Sequence, residues 1–487
     1  MSNVAPKSVP NDAPAAAPAP PVGTASAPPV WTFLLGLSLV AGLAEMAFII
    51  VNVSALPVYL EFGLGLPKLV GYSLGAFYLA EAIGNSPMGA LGDRFGRRRL
   101  MVTGALISVG TCLGTAFLRV PEGGGPLAWL GIGLLIALRV LDGLGAAALW
   151  PALFASVSDR VEPRRQAQAM SALNITYFVG IALGPFVGGW VNDTFGGTLG
   201  KTDAARYTPS FFVAAGCFAV AALVAYFVAP RREETHQTSA ADHYKDVLGE
   251  AGPAAAHDVH GGEALSLAGI KRALRLLPAL MAVGFLTFFA IGLIAPYIKL
   301  FAIKRYLDAV PETQQETTFG LLLLYPALFI AAIAVPLGRL TDRWGTTRSI
   351  RGGLALCALA FWSVLATRQQ WGLVALGGLI GIGFVLAFPA YMAYIADAAG
   401  PHARGGVIGA ARTTQGLGAM LGTVLSGPIY QMDVRHLILF NTAAVLLSAA
   451  TALSLVYVRE QRGGAHPGAG DAATTDAVTA TPAAPPP

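Results

Sequence analysis

A glycine-spaced, strongly basic turn occurs twice in this chain, each time between two long apolar runs. The first copy is Gly89-Ala-Leu-Gly-Asp93-Arg94-Phe-Gly96-Arg97-Arg98-Arg99, and the second, eroded, is Gly338-Arg-Leu-Thr-Asp342-Arg343-Trp-Gly345-Thr-Thr-Arg348. A shift of 249 residues superposes Pro87 on Pro336, Gly89 on Gly338, Leu91 on Leu340, Asp93 on Asp342, Arg94 on Arg343 and Gly96 on Gly345. Further along, a shift of 238 places Gly143 on Gly381, Gly145 on Gly383, Pro151 on Pro389, Asp159 on Asp397, Pro163 on Pro401, Gly180 on Gly418, Gly184 on Gly422 and Gly189 on Gly427. The order of segments is kept, so the chain reads as two parallel copies of one half.

The apolar runs cover roughly 31–60, 68–90, 100–119, 127–157, 168–191 and 209–229, then 276–300, 317–340, 349–367, 371–396, 407–430 and 436–458. Each approaches the roughly 20 residues that span a bilayer core. Charged residues are 12% of the 487 and hydrophobic ones 55%, where soluble domains carry roughly 25% charge. The fold class expected is therefore an all-α membrane protein of twelve transmembrane helices in two six-helix, pseudo-symmetric bundles, numbered here helix 1 to helix 12 in the order of the runs. The first run is too long for a signal-peptide core and shows no clear cleavage site, so it reads as a retained helix. The expected organisation is a disordered Pro/Ala-rich tail over 1–30, a first bundle over 31–229, a polar linker over 230–272, a second bundle over 273–458 and a disordered tail over 459–487. The linker mixes Arg231, Arg232, Glu233, Glu234, Asp242 and Lys245 with Gly and Ala, and an amphipathic piece is expected near Leu265 to Leu277.

Lys and Arg are concentrated after helices 2, 4, 8 and 10, as Arg94 with Arg97 to Arg99, Arg160 with Arg164 and Arg165, Arg343 with Arg348, and Arg404. By the positive-inside rule both termini are cytoplasmic and the protein lies in the plasma (inner) membrane. Lys304 and Arg305, after helix 7, break the pattern. The net charge of +5 fits anchoring at an anionic inner leaflet, because the cations flank spans; nucleic acid is not an expected partner. Cys112, Cys217 and Cys357 each lie inside an apolar run, and the seven His residues fall in loops, tails or a helix end. Neither a disulfide framework nor a metal site is suggested. No glycine-rich turn ends in a Walker Lys-Ser/Thr, so neither an enzyme nor a cofactor is expected beyond a proton gradient as driving force.

The first basic turn resembles the loop between helices 2 and 3 of the major facilitator superfamily, on Gly89, Asp93, Arg94, Gly96, Arg97 and Arg98. Arg139-Val-Leu-Asp142-Gly143-Leu-Gly145 resembles that family's helix 4 motif, and Gly180-Ile-Ala-Leu-Gly184-Pro185-Phe-Val-Gly188-Gly189 its helix 5 motif associated with proton-driven antiporters. The antiporter pattern has a further upstream glycine where this chain has Ser171. The resemblance implies two bundles rocking about a central cavity, with Gly143, Gly145, Gly180, Gly184, Pro185, Gly188 and Gly189 in helix packing. It also implies a conformational latch built on the basic turn: Asp93, at a helix start, can accept free N–H groups or pair with an Arg. The alternative is that these arginines only anchor the chain to anionic lipid. The second copy keeps Asp342 and Arg343 but has Thr346 and Thr347 for two arginines, so its latch should be weaker.

Ionisable groups at mid-span are costly and usually face a cavity or a partner. Four stand out: Glu45 in helix 1, Glu81 in helix 2, and Arg139 with Asp142 in helix 4 at an i, i+3 spacing that puts them on one face. The 238 shift carries Arg139 to Gly377 and Asp142 to Ile380, and the 249 shift carries Glu81 to Ile330. Packing residues were kept while charges were not, so these charges serve a task of the first half. Three acids and one base cannot all be comfortably ionised in a low dielectric, which suits at least one carboxyl to carry a proton. Glu45 is assigned that role, with Glu81 as a second carboxyl and Arg139 with Asp142 as a pair whose partner changes with access. The alternatives are that Arg139 and Asp142 are a static buried pair and that Glu81 is satisfied by Asn85. Asn52, Tyr177, Tyr297, Tyr325, Tyr391, Tyr394 and Gln415 are expected to shape the substrate cavity.

The resulting expectation is a secondary transporter, working as a monomer, that exports a lipophilic or cationic small molecule in exchange for protons. The net acidic charge of the first half favours a cation. The alternatives are a symporter or facilitator for a sugar or other neutral metabolite, and a non-transporting membrane receptor or assembly protein.

Overall fold

The computed structural model describes residues 30–118, 120, 125–161, 163–196, 203–229, 278–399, 404–432 and 437–458. The expected tails, Val30 apart, and the expected linker with its amphipathic piece lie outside the described residues.

The described residues are helical and contain no strand. Helix 1 opens as Val30–Ile49 and continues through π-helical stretches at Ile50–Ala55 and Tyr59–Gly63, joined by Leu56–Val58. Helices 2 to 6 are Lys68–Phe95, Arg97–Phe117, Pro126–Arg160, Pro163–Phe195 and Pro209–Val228. Helix 7 is Pro278–Ile294 followed by Ile298–Tyr306, bent by 55°. Helices 8 to 12 are Glu312–Trp344, Thr346–Ala366, Gln370–Ala399, Arg404–Gln431 and Leu437–Tyr457.

Among the described residues nine of these helices are individually long and apolar enough to cross a bilayer, and the bent helix 7 makes a tenth. The remaining two are helix 2, which carries Glu81 and Asn85, and helix 11, which carries Arg412 and Gln415. They pack on one another across the two halves. A Cβ added at Gly71 would lie 2.6 Å from the Thr423 carbonyl oxygen, and one at Gly427 would lie 2.8 Å from that of Lys68. A helix at a protein-lined seam can carry polar groups that a lipid-facing helix cannot.

The two halves use the same pairing. Helix 1 packs on 5 and 6, helix 2 on 4, and helix 3 on 4 and 6; likewise helix 7 packs on 11 and 12, helix 8 on 10, and helix 9 on 10 and 12. Between the halves, helix 5 meets helix 8 and helix 11 meets helix 2, a pattern that exchanges the halves. Lipid gives no hydrophobic drive for association, so close backbone approach at small residues carries the packing. Gly180 lies where a Cβ would come within 2.7 Å of the Gly42 carbonyl oxygen and 2.9 Å of the Met46 nitrogen, and its repeat partner Gly418 lies in the same way against Phe285 and Phe289. Gly145 faces Gly104, Gly184 faces Ile49, Gly188 faces the Ser54 side chain, and Gly189 reaches across the halves to the Glu316 backbone. Gly96 and Gly345 end helices 2 and 8 with φ of +95° and +80°. That left-handed region is open to glycine without a Cβ penalty, which explains the residue kept in both copies of the basic turn.

Candidate functional site

The packing glycines place the first-half acids. Gly143 on helix 4 sits against helix 2 at Phe77, with the Glu81 nitrogen 3.1 Å from where its Cβ would be, and Gly180 on helix 5 sits 3.1 Å from the Glu45 Cβ by the same measure. Tyr177, one turn before Gly180, therefore overlies Glu45, and its hydroxyl is within hydrogen-bonding reach of the carboxyl. Tyr177 is held edge-on to Trp150, with ring centroids 5.5 Å apart. Glu45 is 6% exposed and Glu81 half-buried. Glu81 feels the field of Asp142, and Glu45 that of Glu81, so helices 1, 2 and 4 align three acids. Neither Glu45 nor Glu81 has an ion-pair partner among the described residues.

Arg139 and Asp142 are fully enclosed and paired, Nη1 to Oδ2 at 3.1 Å. Helix 3 completes the unit. The Thr111 hydroxyl donates to Asp142 Oδ1 at 3.1 Å, and Arg139 Nη2 donates to Thr115 Oγ1 at 3.2 Å. The structure thus brings Arg139 and Asp142 to each other and to helix 3, with the positive charge already matched, and leaves Glu45 beside Tyr177.

The residues expected to shape a cavity separate into groups. Tyr391 and Gln415 line a cavity of about 290 Å³ inside the second half, and the Tyr391 hydroxyl donates to the Leu280 carbonyl at 2.9 Å. Asn52 is buried in the π-helical stretch of helix 1, its Oδ1 without a partner. Tyr297, fully buried at the bend of helix 7, is a seam residue: its hydroxyl donates to the Pro67 carbonyl at 2.7 Å and its ring stacks on Tyr430 with centroids 4.1 Å apart. Tyr325 is half-exposed and stacks on Trp371, while Tyr394 packs beside the apolar cluster of the second half.

A set of charges that sequence reasoning left aside joins the halves at one end. Lys299 on helix 7 and Glu316 on helix 8 form a buried ion pair at 2.9 Å, with side chains 0% and 4% exposed. Lys299 Nζ also donates to the Ser54 carbonyl at 2.7 Å and hydroxyl at 3.1 Å, and Asn192 Nδ2 donates to Glu316 Oε2 at 2.9 Å. The Thr317 nitrogen and hydroxyl both donate to Asp193 at 2.7 Å. Further out, Lys304 pairs with Glu61 at 2.5 Å and Arg206 with Glu312 at 3.2 Å. Ser54, Glu61, Asn192, Asp193 and Arg206 belong to the first half, and their partners to the second. The two basic residues that break the positive-inside pattern are thereby accounted for: Lys304 is paired across the seam, and Arg305 Nη2 donates to the Leu365 carbonyl at 2.6 Å. That break in the pattern was the signal available in the sequence.

The basic turns lie at the opposite end. A Cβ added at Gly89 or Gly338 would meet nothing within 4 Å, whereas Gly189, Gly71 and Gly427 at or near the charged seam would clash. The Asp93 and Asp342 side chains lie outside the described residues. Arg94 and Arg343 are exposed, and Arg98 sits over the Tyr226 ring at 4.1 Å, tied to helix 6 of its own half. The halves therefore close on each other through helices 1, 5, 7 and 8 at the end away from the repeated turns.

Comparison with known proteins matches the chain over residues 34–315 and 280–484 to the family model described as the Major Facilitator Superfamily. Multidrug resistance protein 2 of Bacillus subtilis is 23% identical over 406 residues, covering 80% of this chain and 86% of that protein. Multidrug resistance protein 1 of the same organism is 22% identical over 398 residues, covering 79% and 86%. Among solved structures, the nucleoside transporter NupG superposes with a TM-score of 0.64 at 12% identity, covering 88% of this chain and 98% of that one. An inward-open conformation of the xylose transporter XylE from E. coli superposes with 0.63 at 14%, covering 90% and 98%.

Proposed function

Because this chain belongs to the Major Facilitator Superfamily, and is thus a multi-pass membrane transporter, we propose that it is a proton-coupled antiporter that exports a lipophilic or cationic small molecule by alternating access. The observation that carries the reading is the pair Glu45 and Glu81: two carboxyls in neighbouring helices, inside the membrane, with no ion-pair partner among the described residues. In this conformer Arg139 is engaged instead by Asp142 and Thr115.

Two acids without a counter-charge in a low dielectric are neutralised either by protons or by a cation. Occupancy by one excludes the other, and that competition is the coupling: a proton taken up at Glu45 releases a bound cation, and a cation displaces the proton. Tyr177 orients the Glu45 carboxyl by its hydroxyl. The closed seam at Lys299 and Glu316 excludes access from one side, which by the charge of the basic turns is the outer one, with both termini cytoplasmic in the inner membrane. The multidrug resistance relatives, by name, support drugs as the solute; the nucleoside and xylose transporters support the fold alone.

Proteoliposomes carrying an internal pH dye test this, challenged with lipophilic cations, sugars and organic acids, for the wild type and Glu45→Gln. Proton flux triggered by a lipophilic cation and lost in Glu45→Gln is the expected result. Labelled solute crossing with no proton movement, or a sugar as the coupled solute, would overturn it.

A further inference from the structure

We propose that the second half contains its own binding site, for an uncharged aromatic molecule that carries one hydrogen-bond acceptor. It occupies the position at which the first half keeps its charges. The 238 shift carries Arg139 to Gly377, Asp142 to Ile380 and Tyr177 to Gln415, and the 249 shift carries Ser108 to Cys357. Helix 1 maps onto helix 7 through their matched contacts. Gly180 touches Gly42 and Met46 while its partner Gly418 touches Phe285 and Phe289, so Glu45 falls on Phe288. All five counterparts, Phe288, Cys357, Gly377, Ile380 and Gln415, line the 290 Å³ cavity.

The backbone packing was kept and the contents were exchanged. A long guanidinium side chain has become the hydrogen of Gly377, which leaves volume, and carboxylates have become Phe288 and Ile380, which leaves that volume apolar. Helices 9 and 12 add walls through Leu354, Phe361 and Leu447, and every lining residue belongs to the second half.

The wall chemistry selects the ligand. Phe384 and Phe388 are parallel, centroids 5.2 Å apart, and Phe288 lies 5.8 Å from Phe388, an arrangement that receives another ring offset-stacked or edge-on. Water is a poor occupant, since it needs two to four polar partners and an apolar cavity stays dry. One polar group is incompletely used. Gln415 is 2% exposed, and its amide nitrogen lies towards the Tyr391 hydroxyl without a hydrogen bond of good geometry; a buried amide donor that is not fully met gains when a ligand brings an acceptor. No charged side chain lines the cavity, so a cation has no counter-charge there. A volume of about 290 Å³ is at the small end for ligand pockets, roughly 300–1,000 Å³, and suits two or three fused rings.

The probe is 9-fluorenone, an uncharged planar aryl ketone, compared with fluorene, the same ring system without the carbonyl. Equilibrium binding of each, radiolabelled, is measured on the full purified chain in detergent. Saturable 1:1 binding is expected, with fluorenone tighter by about fivefold, the factor for one net hydrogen bond. Gln415→Leu should bring the two ligands level. Gly377→Leu should weaken both by tenfold or more, because Gly377 lines the cavity and a Cβ there meets nothing nearer than Pro326 at 3.4 Å, so a larger side chain can be built at the cavity wall. Photolabelling by benzophenone should map to the Phe288, Phe384 and Phe388 peptides, which reads the site even if Gly377→Leu fails to fold. Glu45→Gln should leave fluorenone affinity within twofold while losing proton flux, so this site and the antiport reading fail separately. Non-saturable binding, discrimination that survives Gln415→Leu, or labelling confined to the first half would overturn the proposal.

Discussion

The Lys299–Glu316 pair sets the balance between conformations, and Glu316→Leu measures it. In the closed seam Lys299 would keep the Ser54 carbonyl at 2.7 Å and hydroxyl at 3.1 Å but lose its counter-charge, and Asn192 Nδ2 would lose its acceptor. Both side chains of the pair are enclosed, 0% and 4% exposed, so this is the breaking of a buried pair, which costs about 3–5 kcal/mol. With the halves swung apart at that end, Lys299 would be hydrated and little would be lost. The cost therefore falls on the closed conformer alone. At about 1.4 kcal/mol per tenfold, even the lower figure moves the equilibrium toward the opposite conformer by about a hundredfold. Spin labels at Leu127 and Trp371, exposed residues near the seam ends of helices 4 and 10, report the separation of the halves once the native cysteines are replaced. A longer distance should appear or dominate in Glu316→Leu. Lys299→Met combined with Glu316→Leu, which removes both charges together, should bring the short distance back to within about tenfold of its original population, because buried pairs are replaceable by apolar residues at little net cost. An unchanged distance distribution in well-folded Glu316→Leu would refute the reasoning.

Three further variants probe the seam's outer pair and the glycine packing. Lys304→Met removes a pair whose lysine is 33% and whose Glu61 is 11% exposed, between a surface pair at about 0–1 kcal/mol and a buried one at about 3–5 kcal/mol, so the same distance measurement should shift, but by less than in Glu316→Leu. Gly89→Leu should leave folded yield and the closed seam intact, since a Cβ there meets nothing within 4 Å, yet slow turnover, because the opposite conformer must close at that end. Gly143→Leu, set against the Phe77 carbonyl, should abolish folded yield, as read by size-exclusion chromatography, and equal yields for the two glycine variants would break the distinction.

Run length and the repeat carried the helices and the packing glycines, because lipid imposes both a span length and a need for small residues wherever backbones approach. The i, i+3 spacing carried the Arg139–Asp142 contact for a similar reason, since a helix fixes that geometry locally. Of the seam, only Lys304 and Arg305 showed, as a break in the basic pattern; its buried pair was illegible. Lys299 and Glu316 flank the ends of their apolar runs, where a charge reads as solvated, and their partners Ser54 and Asn192 lie 245 and 124 residues away. Tyr297 resembled any tyrosine of an apolar run until the 55° bend of helix 7 turned it onto Pro67 and Tyr430. The exchange of Arg139 for Gly377 was visible as a lost charge, but the volume it opens exists only once helices 9 and 12 supply the far walls.

The duplication explains why one chain can hold two sites of opposite character. Gly180 and Gly418 fix helices 1 and 7 against helices 5 and 11 by the same backbone contacts, so the frame tolerates whatever side chains stand a turn away. In the first half those are Glu45 and Tyr177, with Arg139 and Asp142 behind them, and the site demands charge compensation. In the second they are Phe288 and Gln415 before the space left by Gly377 and Ile380, and the site demands apolar surface and one acceptor. A solute with a cationic end and an aromatic end could satisfy both only if the halves hold the two sites at a fixed separation. The Lys299–Glu316 seam imposes such a separation in the closed conformer, and its release would uncouple them; loosening the seam should therefore weaken two-ended solutes more than fluorenone, which needs the second half alone.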